Sequence, residues 1–224
     1  MNRIKRLLTS ASSFSMLVSM MLAFVFVSCS ETEDNEEFSN WKQRNDEYFQ
    51  SVYANAMARI AGGDSNWKIL KKWSLGADND SYHADVTDNV VVRVLESGTS
   101  TADSPLFTDT VRVAYRGHII PSQTYTSGFV FDATYDGEFN KATAAAAKLA
   151  VADNVDGFVT ALQHMKIGDR WEIYIPYNLG YGEQTQNNIP GCSTLIFDVT
   201  LVAYYHPGAT VPDFKAKDGP LWEE

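Results

Sequence analysis

The sequence predicts an α+β domain in which a curved antiparallel sheet packs around one short helix, with an amphipathic helix ahead of it. Three observations carry that prediction. Apolar residues recur at every second position in several segments between Val90 and Leu201, the pattern of strands with one buried face. One short stretch among them, Val155 to Met165, keeps helical spacing instead. A longer stretch with that spacing begins at Trp41, before any strand. One short helix among five or so strands suits a helix laid on the concave face of a sheet.

The chain has 224 residues, 45% of them hydrophobic and 21% charged, the composition of an ordinary folded protein. Lys and Arg total 18 against 28 Asp and Glu, a net charge of −10. No nucleic-acid partner is expected, because such binding rests on a basic face that neutralises phosphates. Two cysteines, Cys29 and Cys192, are too few for a disulfide scaffold, so burial must stabilise the fold.

Residues 1–28 read as an export signal. A basic start with Arg3, Lys5 and Arg6 leads into an apolar run from Met16 to Val27, and that order of charge and then apolar length is secretory. Phe26-Val27-Ser28-Cys29 resembles a bacterial lipobox, in which the cysteine is lipidated and becomes the new N-terminus; a plain signal with an incidental cysteine is the alternative. Residues 29–38 then form an acidic tether, with five carboxylates from Ser30 to Glu37 and little to bury. This run resembles the surface-export signal of Bacteroidetes-type lipoproteins, and a self-repelling spacer explains it equally well. The expected location is the bacterial cell envelope, lipid-anchored at Cys29 on the periplasmic or the surface side.

A helical extension is expected over 39–85. Trp41, Tyr48, Phe49, Val52, Tyr53, Ala56, Met57 and Ile60 recur at three- and four-residue spacing, and Gly62-Gly63 closes the helix. The aromatic stripe is a core face or a homodimer contact. Trp67 to Leu75 could form a short strand before a loop at Gly76. Strands follow at Val90–Leu95, Thr110–Tyr115, around Phe129–Phe131, at Trp171–Ile175 and at Leu195–Leu201. Val155, Phe158, Val159, Leu162 and Met165 form the short helix, which Gly168 stops. Residues 207–224 read as a tail.

Machinery for hydrolysis or metal binding is not in the pattern. The histidines at 83, 118, 164 and 206 lack ligand spacing, and Cys192 has no His or Cys neighbour. No phosphate-cradling glycine loop and no Gly-x-Ser-x-Gly elbow occurs. No cofactor is expected. Aromatics near Asp132 and Gly180-Tyr181-Gly182 instead suggest a hydrophobic pocket with a polar rim.

Six segments in order complete a resemblance: Asp109-Thr-Val-Arg-Val-Ala-Tyr115-Arg-Gly117, Gly128-Phe-Val-Phe131-Asp132, Val155-Asp-Gly-Phe158, Ile175-Pro-Tyr-Asn-Leu-Gly-Tyr181-Gly182, Ile189-Pro190 and Thr194-Leu-Ile-Phe197. From about residue 86 to 206 the chain resembles the FKBP-type peptidyl-prolyl cis-trans isomerases. That resemblance implies a half-barrel sheet wrapped on the short helix, with a pocket between them that accepts proline-containing polypeptides. It implies Tyr115, Phe131 and Phe197 as walls, Phe158 as floor, the Val155 amide near the rim, Asp132 and the Tyr181 hydroxyl as polar contacts, and Ile189 in a flap loop. Three positions depart from the family pattern. Phe158 stands where tryptophan is usual, Ala142–Leu149 replaces a segment that brings an aromatic wall, and the flap Glu183–Asn188 is polar, so a deeper and less tightly closed pocket is expected.

An isomerase of this kind needs no nucleophile and no proton transfer. A dry aromatic cavity favours the twisted, less polar amide over the planar, hydrated one. The other reading is a module that keeps the fold and holds a polypeptide or glycan without turnover.

Overall fold

The computed structural model describes residues 36–76 and 83–211. The expected signal, Cys29 and the tether up to residue 35 lie outside the described residues, as does the tail from residue 212. Among the described residues no helix is long and apolar enough to cross a membrane.

Helix α1 spans Trp41–Ala61, and strand β1, Trp67–Lys71, follows it. Strands β2 (Asn89–Glu96), β3 (Thr110–Ile119), β4 (Val130–Ala133) and β5 (Ala147–Ala150) precede helix α2, Asp156–Leu162. Strands β6 (Arg170–Ile175) and β7 (Leu195–Tyr205) complete one seven-stranded sheet. Its order is β1-β2-β6-β7-β3-β4, every pair is antiparallel, and β5 shares with β4 the free edge of β3.

Each element answers to its residues. Gly63, at φ 85°, takes the left-handed turn that ends α1. In β6 the side chains at Trp171, Ile173 and Ile175 are buried while their neighbours are half-exposed, the alternation of a strand with one core face. Helix α2 lies tightly on the sheet because Gly157 has no side chain: a Cβ there would stand 2.3 Å from Ile175 Cγ2 and 3.0 Å from Val90 Cγ1. The main core gathers Val90, Val92, Phe158, Leu162, Ile173, Phe197 and Leu201 between α2 and the sheet. Each such side chain, removed from water, contributes about 1.5–3 kcal/mol.

The structure corrects the expectation of a single buried face. In β2, Val90, Val91 and Val92 are all fully buried, because α1 covers the opposite side of the sheet. There Phe49, Ala56 and Val91 form a second cluster with Ile69 and Tyr174. The extension is therefore built into the domain, with β1 paired to β2 along Trp67–Lys71. The stripe on α1 is buried only in part: Trp41 and Phe49 are covered, whereas Met57 is 52% and Ile60 41% exposed. The end of the expected tether is also docked rather than solvated. Phe38 packs edge-on against Trp41, and the Glu37 carboxylate accepts hydrogen bonds from the Ser122 and Thr124 hydroxyls.

Candidate active site

Between α2 and the sheet lies a cavity of about 200 Å³. Phe197, from the middle of β7, is its hub. Its ring meets Phe158 at 5.0 Å, Phe131 at 5.4 Å and 85°, and Tyr115 at 6.3 Å, centroid to centroid. Edge-to-face contacts of this kind add about 0.5–1.5 kcal/mol each beyond burial and hold the rings in defined planes. Phe158 is 3% exposed and Phe197 7%, so these two form the closed end, while Tyr115, Phe131 and Tyr181 line the open side.

Local backbone explains why neighbouring residues share this cavity. Strand β4 pairs with β3 as Gly117 with Asp132 but His118 with Val130. Phe131 is the extra residue of a β-bulge, so Phe131 and Asp132 both face the pocket although a regular strand would send them to opposite sides. Gly117 sits beneath the rings. A Cβ at that position would lie 2.6 Å from both Phe131 Cζ and Phe197 Cε1, so the walls close in over the missing side chain.

The rim is polar. The Tyr115 hydroxyl donates to Asp132 Oδ2 at 2.6 Å. Burial, with this bond second, pushes the Tyr115 phenol well above its ordinary value. Burial and then the Asp132 charge raise that of Tyr181. Both phenols therefore keep their protons at neutral pH, and the Tyr181 hydroxyl donates to no partner among the described residues. Val155 caps α2 in an extended conformation, φ −62° and ψ 147°. Its carbonyl accepts from the Phe158 and Val159 amides, while its own amide has no partner among the described residues and borders the cavity. Two unclaimed donors thus stand beside an apolar chamber.

The structure brings together seven of the eight residues expected at the pocket: Tyr115, Phe131, Asp132, Val155, Phe158, Tyr181 and Phe197. Ile189 is not among the lining residues. It is 5% exposed and packs in the main core, next to the tight turn that its bridge with Gln186 closes. Leu149, the nearest large apolar residue of the departing segment, does line the cavity from β5. Asp153 and Asn154 line it too. Sequence reasoning passed over both; the Asn154 side chain is held by the Ala150 carbonyl at 2.7 Å, a local turn that marks no pocket by itself. No group of three or more His, Cys, Asp or Glu residues able to hold a metal ion occurs among the described residues.

Comparison with known proteins bears on this geometry. Residues 102–202 match the model of the FKBP-type peptidyl-prolyl cis-trans isomerase family. They form an FKBP-type domain. The chain is 36% identical over 111 residues to the FKBP-type 22 kDa peptidyl-prolyl cis-trans isomerase of Escherichia coli, covering 49% of this chain and 47% of that protein. It is 33% identical over 110 residues to the FKBP-type isomerase FkpA of Aeromonas hydrophila, covering 49% of this chain and 36% of the relative. The chain thus spans less than half the length of either relative. Among solved structures, FkpA from Escherichia coli aligns over 86% of this chain and 81% of its own, at 21% identity and a TM-score of 0.43. The aromatic cluster and the bulge both fall inside the FKBP-type segment, whereas α1, β1 and β2 precede it.

Proposed function

We propose that the protein is a peptidyl-prolyl cis-trans isomerase that works by desolvating the X-Pro amide. The observation that carries this is the cluster of Tyr115, Phe131, Phe158 and Phe197 around one open chamber of about 200 Å³, room for a single small ring rather than the roughly 300–1,000 Å³ of sites for larger ligands.

Rotation about an amide faces a barrier of ~18–20 kcal/mol because twisting breaks resonance, and proline is the residue whose cis and trans forms have comparable energies. A prolyl ring seated on Phe158 leaves water behind. The planar amide then loses hydration that the twisted amide needs less, so the barrier falls. The Tyr181 hydroxyl and the Val155 amide are placed to hold the flanking carbonyls. Asp132, by accepting the hydrogen bond of the Tyr115 hydroxyl, fixes that ring as a wall. Each ~1.4 kcal/mol of preferential stabilisation is a tenfold rate, against an uncatalysed step of tens of seconds.

Exchange NMR on a proline-containing peptide tests this. The wild-type protein accelerates interconversion, and Tyr181→Phe reduces the effect several-fold. Peptide binding without acceleration would show a binding module instead. The charge-then-apolar order of residues 1–28 and the cysteine at 29 support a further element of the proposal: the enzyme is lipid-anchored in a bacterial envelope and serves exported proteins. Protease treatment of intact cells distinguishes a surface-facing enzyme, which is digested, from a periplasmic one, which is spared.

A further inference from the structure

The segment that carries Tyr181 leaves β6 after Ile175 and rejoins the sheet at Leu195. Its own bonds are local turns and one bridge. The Leu179 amide donates to the Pro176 carbonyl, the Gly180 and Gly182 amides to that of Tyr177, the Cys192 amide to that of Gly182 and the Gly191 amide to Thr185 Oγ1, and Gln186 and Ile189 form one isolated bridge. Two of its non-glycine residues, Asn187 at φ 52° and Cys192 at φ 62°, hold left-handed backbone, which favours glycine.

Helix α1 grips this flap at both ends. At the leading end, Lys42 Nζ donates to the Tyr177 hydroxyl at 2.6 Å. At the returning end, Trp41 Nε1 donates to Ser193 Oγ at 2.9 Å, and the Ser193 hydroxyl in turn donates a hydrogen bond to the Pro190 carbonyl at 2.6 Å. Asn45 Oδ1 accepts the Thr194 amide at 2.7 Å, and Asn45 Nδ2 donates to the Trp41 carbonyl at 2.8 Å. Asn45 is fully buried and Trp41 is 6% exposed. A buried carboxamide is unfavourable without partners, and here one of its partners comes from the flap.

We infer that Trp41 and Asn45 are positioning residues which brace the flap and so keep the Tyr181 hydroxyl over the pocket. This rests on the isomerase function proposed above. The segment ahead of the FKBP-type domain is then part of the working enzyme. Asn45→Ala strands the Thr194 amide, whereas Trp41→Phe keeps an aromatic ring but removes the indole N–H and part of the buried ring volume.

Amide hydrogen exchange and peptide kinetics on the whole protein decide the matter. The expected result is at least tenfold faster exchange at residues 177–194 with β3 and β7 unchanged, and a kcat/KM reduced about tenfold in Asn45→Ala and less in Trp41→Phe. Unchanged flap exchange in both variants overturns the brace. So does exchange that rises equally in the sheet, which marks general destabilisation, and so does a mobile flap with undiminished kcat/KM. A wild-type protein without isomerase activity refutes the function instead, and flap exchange still decides whether the brace exists.

Discussion

Replacing Gly117 with alanine puts a methyl group where two pocket rings already stand. The new Cβ would lie 2.6 Å from Phe131 Cζ, 2.6 Å from Phe197 Cε1 and 2.7 Å from Phe131 Cε2, whereas carbon atoms rest at roughly 3.5–4.0 Å. Both rings must retreat by about an ångström. Phe197 has no free direction, since Phe158 lies against it at 5.0 Å and Tyr115 at 6.3 Å. Phe131 yields outward, which opens the wall of the cavity, while Phe197 must press against Phe158 and Tyr115 to clear its own 2.6 Å contact. Overpacking of this kind costs about 1–3 kcal/mol, which for a chain of this size lowers Tm by several degrees, at about 2–4 °C per kcal/mol. The loss of the wall lowers the isomerisation rate by about tenfold, equivalent to ~1.4 kcal/mol at the transition state. Thermal unfolding and peptide exchange NMR measure the two effects. Gly76→Ala, at a position with nothing within 4 Å of the added methyl, is the control and leaves both unchanged. A Gly117→Ala protein with wild-type Tm and rate would refute the packing of these rings over the glycine.

Three further outcomes follow from the same geometry. Tyr115→Phe removes the 2.6 Å bond to Asp132; catalysis falls several-fold while denaturant unfolding shifts by no more than about 1 kcal/mol, because water can replace the phenol at an exposed carboxylate, and a larger loss of stability would disprove this division. Phe158→Ala empties the floor of the pocket, where the ring is 3% exposed; a loss of about 3–5 kcal/mol in urea melts is expected, and a loss under about 1 kcal/mol would show that the site collapses freely. The third concerns acid. Hydrogen bonds from the Ser122 and then the Thr124 hydroxyl hold the Glu37 carboxyl below its ordinary 4.5. The ionised form is the bound one, so the anchoring of the Ser122–Tyr125 loop is complete above 4.5 and is lost as pH falls through the lowered value. The Thr124 amide, which donates to Glu37 Oε1 at 3.0 Å, should shift in NMR spectra over that acidic range and stop titrating in Glu37→Gln; an amide indifferent to acid would exclude the clamp.

The residues themselves determined a good deal. Strict alternation at Trp171, Ile173 and Ile175 and the spacing of Val155, Phe158, Val159 and Leu162 set a strand and a helix, because each pattern buries one face only at its own period. Five ring-bearing positions and Asp132 could be read from six ordered segments. What lay beyond reach depended on residues far apart in the chain. Strand β5, Ala-Lys-Leu-Ala, lacks β-branched or aromatic residues and is ordered only by its pairing with β3. The meaning of Gly117 exists only once Phe131 and Phe197 have closed over it. Asn45 is a polar residue on the apolar stripe, four positions after Trp41 and four before Phe49, and only folding reveals its partner, the Thr194 amide 149 residues away, against which it is fully buried. Periodicity reports which side of an element avoids water; it carries no information about which distant group will meet a particular atom. That pairing is settled by the three-dimensional closure of the sheet between its two helices.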